Sequence, residues 1–228
     1  MYQSMFDDQK QTLMRTYFRT RLAKLGTVKS YEKNQILRIN AAAPSLGIVL
    51  CGKVVKSISS RQGKQKLLYT LRPGEIFGEM DLFCGAGLSY SVKVKEKATI
   101  AFVAQEALDA AIAADPSVYR YILHSITRKY RIILLQLTNH TFNNAAGMVA
   151  DALIRLAACS GHPESDQSEG IISTAFTQDE LAHNVGCSRI TVSRILKKFQ
   201  QENLISIKNK KILIHDTISL ADYTDQFL

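Results

Sequence analysis

"TQDELAHNVGCSRITVSRILKKFQQENLI", residues 177–205, is the stretch whose reading decides the fold. Thr177 followed three residues later by Glu180 is a capping box: each side chain satisfies a backbone N–H that a helix start leaves without a partner. A short helix therefore begins there. Leu181 and Val185 supply its apolar face, Ala182 is small enough to let a second helix approach, and Gly186 permits the positive φ of a tight turn. Ser188 is placed to cap the next helix, whose Val192, Ile195 and Phe199 recur at helical spacing and point inward. The pattern predicts a helix-turn-helix.

The outward side of that second helix carries Arg189, Ile190, Ser193, Arg194 and Lys197, a surface rich in donors with one apolar member. Arginine grips guanine O6 and N7 with two bonds, lysine meets phosphate, and an aliphatic side chain rests on a thymine methyl. This is the chemistry of a helix laid in the DNA major groove. Arg189 and Arg194 are the expected base readers, with Ser188, Thr191, Ser193, Lys197 and Lys198 positioning the helix. Just beyond, "LISIKNKKILIH" (204–215) reads as two strands around a basic turn, a wing whose Lys208, Lys210 and Lys211 reach toward flanking backbone.

Net charge of +9 does not by itself argue for nucleic acid, because its excess lies elsewhere. Residues 1–114 hold 17 Lys+Arg against 9 Asp+Glu, whereas 115–228 hold 12 against 11. The local cluster from Ser188 to Lys211 is the better clue.

The 228 residues exceed one typical domain of about 100 to 150. Residues 27–104 consist of short apolar runs broken by Gly47, Gly52, Gly63, Gly74 and Gly78, and "KVVKSISSRQGKQKLLYTL" reads as a β-hairpin about a turn containing Gly63. Such spacing predicts an antiparallel roll or barrel of many short strands, jelly-roll-like, preceded by a helix ending near Leu25. From Asp115 the character changes. Asp115 is a plausible cap, Pro116 suits a first helical position, and neither Gly nor Pro recurs until Gly147. Along this helix Leu123, Ile126, Tyr130, Ile133, Leu137 and His140 alternate three and four apart, the spacing of a coiled-coil seam. A second amphipathic helix follows over 147–158, then a polar loop over 159–170. The expected organisation is α+β: a roll over 1–114, a dimerisation helix over 115–142, and a winged helix-turn-helix over 143–228.

Other classes find little support. Cys51, Cys84, Cys159 and Cys187 are scattered with no C-x-x-C pair, which favours reduced and mostly buried thiols over a metal knuckle. The first histidine is His124, so the roll lacks the strand histidines of a metal-bearing enzyme site, and no nucleophile motif such as G-x-S-x-G is present. No catalytic residue, metal or cofactor is expected. Neither a secretory core of about 7 to 15 apolar residues nor a run of about 18 is visible, so a soluble, cytoplasmic protein without membrane contact is expected.

Taken together, "RPGEIFGEMDLF" (72–83), the long helix after Asp115 and "VGCSRITVSRILKKFQQENLI" (185–205) resemble the CRP/FNR family of bacterial transcription regulators. The resemblance implies a homodimer on a palindromic double-stranded operator, a small-molecule effector in the roll, and contact with RNA polymerase if the protein activates. In cyclic-AMP-binding members a Gly-Glu pair holds the ribose and an Arg-Ser pair the phosphate. Gly78, Glu79 and Ser91 match, but Tyr90 stands where the arginine would be, after a loop that looks one residue longer. Ile133 and Leu134 occupy positions where those members carry small hydroxyl residues. Lys93 or Lys95 could replace the arginine only in a different pose. The expected effector is therefore not cyclic AMP but another small molecule, an aromatic anion held among Gly78, Glu79, Tyr90, Ser91, Tyr130 and Ile133, similar to the ligands of halophenol-sensing relatives. A cyclic-nucleotide-responsive regulator and a thiol redox sensor built on Cys51 or Cys84 remain the alternatives. Many members read DNA with Arg, Glu, Arg; here Ile190 takes the glutamate's place, which predicts A·T at that base pair.

Overall fold

Alternation of apolar and polar residues over 91–104, and two mostly apolar runs either side of Gly52 over 45–59, build the two strands on which the first half rests. A computed structural model describes residues 7–37, 44–85, 90–159, 170–171, 177–208 and 211–225. In chain order, α1 (Asp8–Thr20) and a 3-10 turn (Leu22–Leu25) precede β1 (Thr27–Tyr31), β2 (Ile36–Leu37), β3 (Ser45–Ser59), β4 (Gln65–Leu71) and β5 (Ile76–Phe77). A short α2 (Glu79–Cys84) leads to β6 (Ser91–Ala104), α3 (Gln105–Ala114) and the long α4 (Ser117–Phe142).

The sheet runs β1-β6-β3-β4, with β2 also on β6 and β5 also on β3, all pairs antiparallel. The sequence reading of many short strands needs one correction: β3 and β6 are long, with 15 and 14 residues. Their pairing shifts register around Cys51 and Lys53, where Gly52 takes φ +80, so each bends instead of ending. The predicted hairpin is β3–β4, with Gly63 at φ +81. Met14, Phe18, Leu46, Ile48, Ile76, Ala101, Val103, Leu108, Val118 and Ile122 pack together as the core, so α1, α3 and the start of α4 all cover the sheet.

The chain divides into two compact units, one of them Asp8–Ile132, and α4 contributes to both. Asp115 starts α4 as expected, its Oδ1 accepting from the Ser117 N–H at 3.0 Å. Two faces of the helix separate cleanly. Val118, Ile122, Ser125, Lys129, Ile132, Gln136 and Asn139 are buried, while Leu123, Tyr130 and Leu137 of the seam are each about 60% exposed. Ile126 departs from the expected seam by packing partly on the roll core.

In the other unit, α5 (Ala145–Cys159), α6 (Gln178–Val185), α7 (Arg189–Gln201) and α8 (Thr217–Ala221) surround one core with the sheet β7-β9-β8, formed by Gly170–Ile171, Lys211–Ile214 and Ile205–Lys208. No described helix is long and apolar enough to cross a membrane. One reading of the cysteines is overturned: Cys51 and Cys84 are exposed and Cys187 half-buried. Cys51 lies beside the Gly52 bend and Cys84 ends α2, positions where the chain turns away from the core.

Candidate DNA-reading helix and effector pocket

The helix-turn-helix is built as its sequence requires. Thr177 Oγ1 accepts from the Glu180 N–H at 3.2 Å and Glu180 Oε2 accepts from the Thr177 N–H at 3.0 Å, closing the capping box at the start of α6. Gly186 ends α6 at φ +79, its N–H donating to the Ala182 carbonyl at 2.8 Å. Ser188 Oγ then accepts from the Thr191 N–H at 3.1 Å and starts α7. Leu181, Val185, Val192, Ile195, Leu196 and Phe199 are buried in one core, which fixes the rotation of α7 about its axis.

That rotation leaves Arg189, Ile190, Arg194 and Lys197 in solvent, with Ser193 half-buried at the edge of the exposed face. Ile190 is 82% exposed, although burial of an isoleucine contributes about 1.5 to 3 kcal/mol. Arg189 Nε lies 3.5 Å from Asp179 Oδ1, an exposed pair of little energy that leaves the guanidinium accessible. Lys198 differs from its neighbours: it is drawn back toward Glu202 at 3.8 Å and over the Tyr223 ring at 4.7 Å. In the wing, Lys208 opposes Lys211 at the end of the β8–β9 ladder, as expected of a basic turn; Lys210 lies outside the described residues.

The roll holds a second polar site. Gly78 opens α2 at φ +92, and a Cβ there would sit 2.4 Å from the Ser45 carbonyl oxygen, so backbone conformation and space both demand glycine. Glu79 follows, buried, with Oε1 accepting from Lys129 Nζ at 2.9 Å. The same ammonium donates to the Ile76 carbonyl at 2.8 Å. Burial pushes the Glu79 carboxyl up, but the Lys129 charge and hydrogen bond, with Lys56 behind them, hold it below the usual carboxylate range. Glu79 Oε2 is buried with no hydrogen-bond partner among the described residues.

Tyr90, just before β6, enters the same site, while Ser91 at the start of β6 meets Ser57 on the neighbouring strand. The Tyr90 hydroxyl donates to Asp81 Oδ2, and the Tyr90 ring lies over the Lys56 ammonium, 3.6 Å from Nζ to centroid. Ser91 Oγ is 2.9 Å from Ser57 Oγ. Lys56 and Lys129 are thus the buried cations of the roll, not Lys93 or Lys95, which lie half-exposed because they alternate with the buried Val92 and Val94. The sequence did contain a signal for both. Lys56 shares strand parity with Val54, and Lys129 continues the Ile122–Ser125 spacing of the inward face of α4. Tyr130 and Ile133 lie on the outward side of α4, 60% and 38% exposed, apart from the buried group just described. The loop before Tyr90 (86–89) lies outside the described residues.

Comparison with known proteins identifies both domains. Residues 28–115 match the model of the cyclic nucleotide-binding domain, and residues 148–223 match that of the Crp-like helix-turn-helix domain. The cAMP-activated global transcriptional regulator CRP of Haemophilus influenzae is 31% identical over 80% of this chain and 81% of its own. The chain belongs to the CRP/FNR family of transcription regulators. Among solved structures, a CooA mutant from Carboxydothermus hydrogenoformans aligns with TM-score 0.80 at 18% identity, over 93% of this chain and 95% of its own. OCPA-complexed CprK aligns with TM-score 0.73 at 18% identity, over 89% and 91%. As a family member, the chain pairs a DNA-binding helix-turn-helix with an effector-binding domain.

Proposed function

We propose that this regulator acts as a homodimer on a palindromic operator and responds to a small effector other than cyclic AMP, an aromatic anion, bound in the roll. The observation that carries the DNA reading is α7: one face is locked in a core while Arg189, Ile190, Arg194 and Lys197 are exposed to solvent. Dimerisation is supported by the exposed seam of Leu123, Tyr130 and Leu137, since three large apolar side chains in one row are costly to leave in water. Two recognition helices then meet half-sites about 34 Å apart. Against cyclic AMP stands Tyr90, which occupies the expected phosphate-arginine position and is tied to Asp81. RNA polymerase is a further partner if the regulator activates.

The test is operator selection from random duplexes followed by binding of two variants. Arg189→Ala should cost about 1 to 3 kcal/mol on the selected palindrome and relax its specificity, whereas Lys197→Ala should weaken all sequences alike and flatten the salt dependence. Equal losses on selected and random DNA for Arg189→Ala would remove its assignment as a base reader.

A further inference from the structure

Lys56 has so far acted only through its charge on Glu79 and its contact with the Tyr90 ring. Its side chain is 1% exposed, yet among the described residues its ammonium meets no oxygen acceptor: the nearest acceptor is Met80 Sδ at 4.0 Å, with the Tyr90 ring at 3.6 Å and the Tyr69 ring at 6.0 Å. Buried ammonium groups are paired with carboxylates or carbonyls in stable interiors, because dehydration of an unpaired cation is not recovered by ring faces and a thioether. The one fully buried carboxylate nearby, Glu79, is bonded to Lys129 through Oε1. Glu79 Oε2 in turn is buried without a donor. Two lysines therefore share one buried carboxylate, with the Asp81 charge acting more weakly on Lys56, and among the described residues an ammonium without an oxygen acceptor stands beside a carboxylate oxygen without a donor.

We infer that Lys56 receives the anionic group of the effector, beside Glu79, the position with which cyclic-AMP-binding members already hold a ligand hydroxyl, so that the ligand is a hydroxylated, ring-bearing anion that displaces the Tyr90 ring from Lys56. This rests on the reading of the roll as the effector domain and deepens it. The cavity beside Lys129, lined by Gln11, Tyr69, Glu75, Ser125 and Arg128, holds only about 10 Å³ and does not include Lys56, Glu79 or Tyr90 in its lining, so a ligand on the buried Lys56 requires a side chain to move. Tyr90 is the side chain so placed: it covers Lys56 and is half-exposed at the rim of the site, held by Asp81. Its departure gives up one hydroxyl–carboxylate bond and one ring–cation contact, and the incoming anion replaces the latter with a charge-assisted hydrogen bond. Lys56 also feels burial most, which draws its ammonium below the ordinary lysine range even with Glu79 opposing.

Matched anionic and neutral probes test this on the full chain: para-hydroxybenzoate against para-hydroxybenzamide, and cyclic AMP against adenosine, by thermal unfolding and titration calorimetry on wild type, Lys56→Met and Lys56→Gln. The expected result is that para-hydroxybenzoate stabilises wild type, its amide does not, and both variants bind it tenfold or more weaker. The same pattern with the cyclic AMP pair alone supports the Lys56 anion site and removes the aromatic-acid effector. Equal shifts from anion and neutral partner, unchanged affinity in the variants, or no shift with any of the four overturns the inference. A ligand-free readout stands beside these: relieved of an unpaired buried charge, Lys56→Met should melt at or above wild type. Melting several degrees lower in both variants would make Lys56 structural and would also overturn it. Operator affinity separates the two readings. A probe that binds through Lys56 without changing operator affinity sinks the effector role and keeps the anion site, whereas a probe that changes operator affinity equally in all three proteins does the reverse.

Discussion

Lys129 on α4 reaches 2.9 Å from Glu79 on α2, both side chains more than nine-tenths buried, so the long helix is fastened to the segment that begins the effector site. The ammonium's second bond, to the Ile76 carbonyl, fixes its direction, and Glu79 Oε2 has no hydrogen-bond partner among the described residues. Any ligand that bonds that oxygen therefore acts on a carboxylate already joined to α4.

Breaking the pair from either side should be costly. Lys129→Met removes the hydrogen-bonded partner of the buried Glu79 carboxylate, leaving only the more distant Lys56 charge, and should destabilise by about 3 to 5 kcal/mol. Urea unfolding of the two single variants and of Lys129→Met with Glu79→Gln would measure it, and the double variant should recover a large part of the loss. Additive losses would mean that the two residues act separately.

Acid should weaken the roll for the same reason. Glu75 and Glu79 both have folded-state carboxyls held below their ordinary value of about 4.5, Glu75 by Arg128 and Arg15 against its own burial, Glu79 by Lys129 and Lys56. A carboxyl depressed in the folded state contributes stability that is present above its unfolded value and lost as pH falls through the folded one. Stability should therefore fall steeply with acidification below about pH 4.5. Glu75→Gln, whose carboxylate is bonded by Gln11 and Arg15 at 2.8 and 2.7 Å, should start lower and show a shallower acid limb. An unchanged acid slope in this variant would assign the loss to other groups.

How much of this was legible in the sequence depended on whether the signal was local. Thr177, Glu180, Gly186 and Ser188 act within four residues of their partners, so the helix-turn-helix could be read directly, caps included. The seam on α4 was visible because 3,4 spacing is a property of one helix. Lys56 and Lys129 were missed because their meaning depends on Glu79 and Tyr90, which approach only when β3, β6, α2 and α4 assemble, and a lysine in a strand ordinarily reads as solvent-facing. Strand length was misjudged at Gly52, where a bulge bends β3 without ending it.

The seam gives a test that leaves Lys56, Glu79 and the DNA-reading helix untouched. Tyr130→Glu combined with Leu137→Glu puts two carboxylates on a face already exposed in the single chain, so helix content should not change. The dimer should dissociate at protein concentrations at least a hundredfold higher than wild type in sedimentation equilibrium, with loss of palindrome binding. A persistent dimer would place the interface elsewhere.

The recognition helix offers the sharpest prediction because it depends on one side chain. Ile190 is 82% exposed on the face it shares with Arg189 and Arg194, and it can neither donate nor accept a hydrogen bond. Cytosine N4 therefore finds no acceptor there, while a thymine methyl gains an apolar contact. The selected operator should carry A·T at the base pair between those read by the two arginines. Ile190→Glu should reverse that preference toward G·C by about 1 to 3 kcal/mol, with protein stability nearly unchanged because the position is solvent-exposed. Selection of operators by wild type and Ile190→Glu in parallel checks both halves: invariant G·C for wild type would remove the thymine contact, and identical logos for the two proteins would show that this residue does not reach the bases.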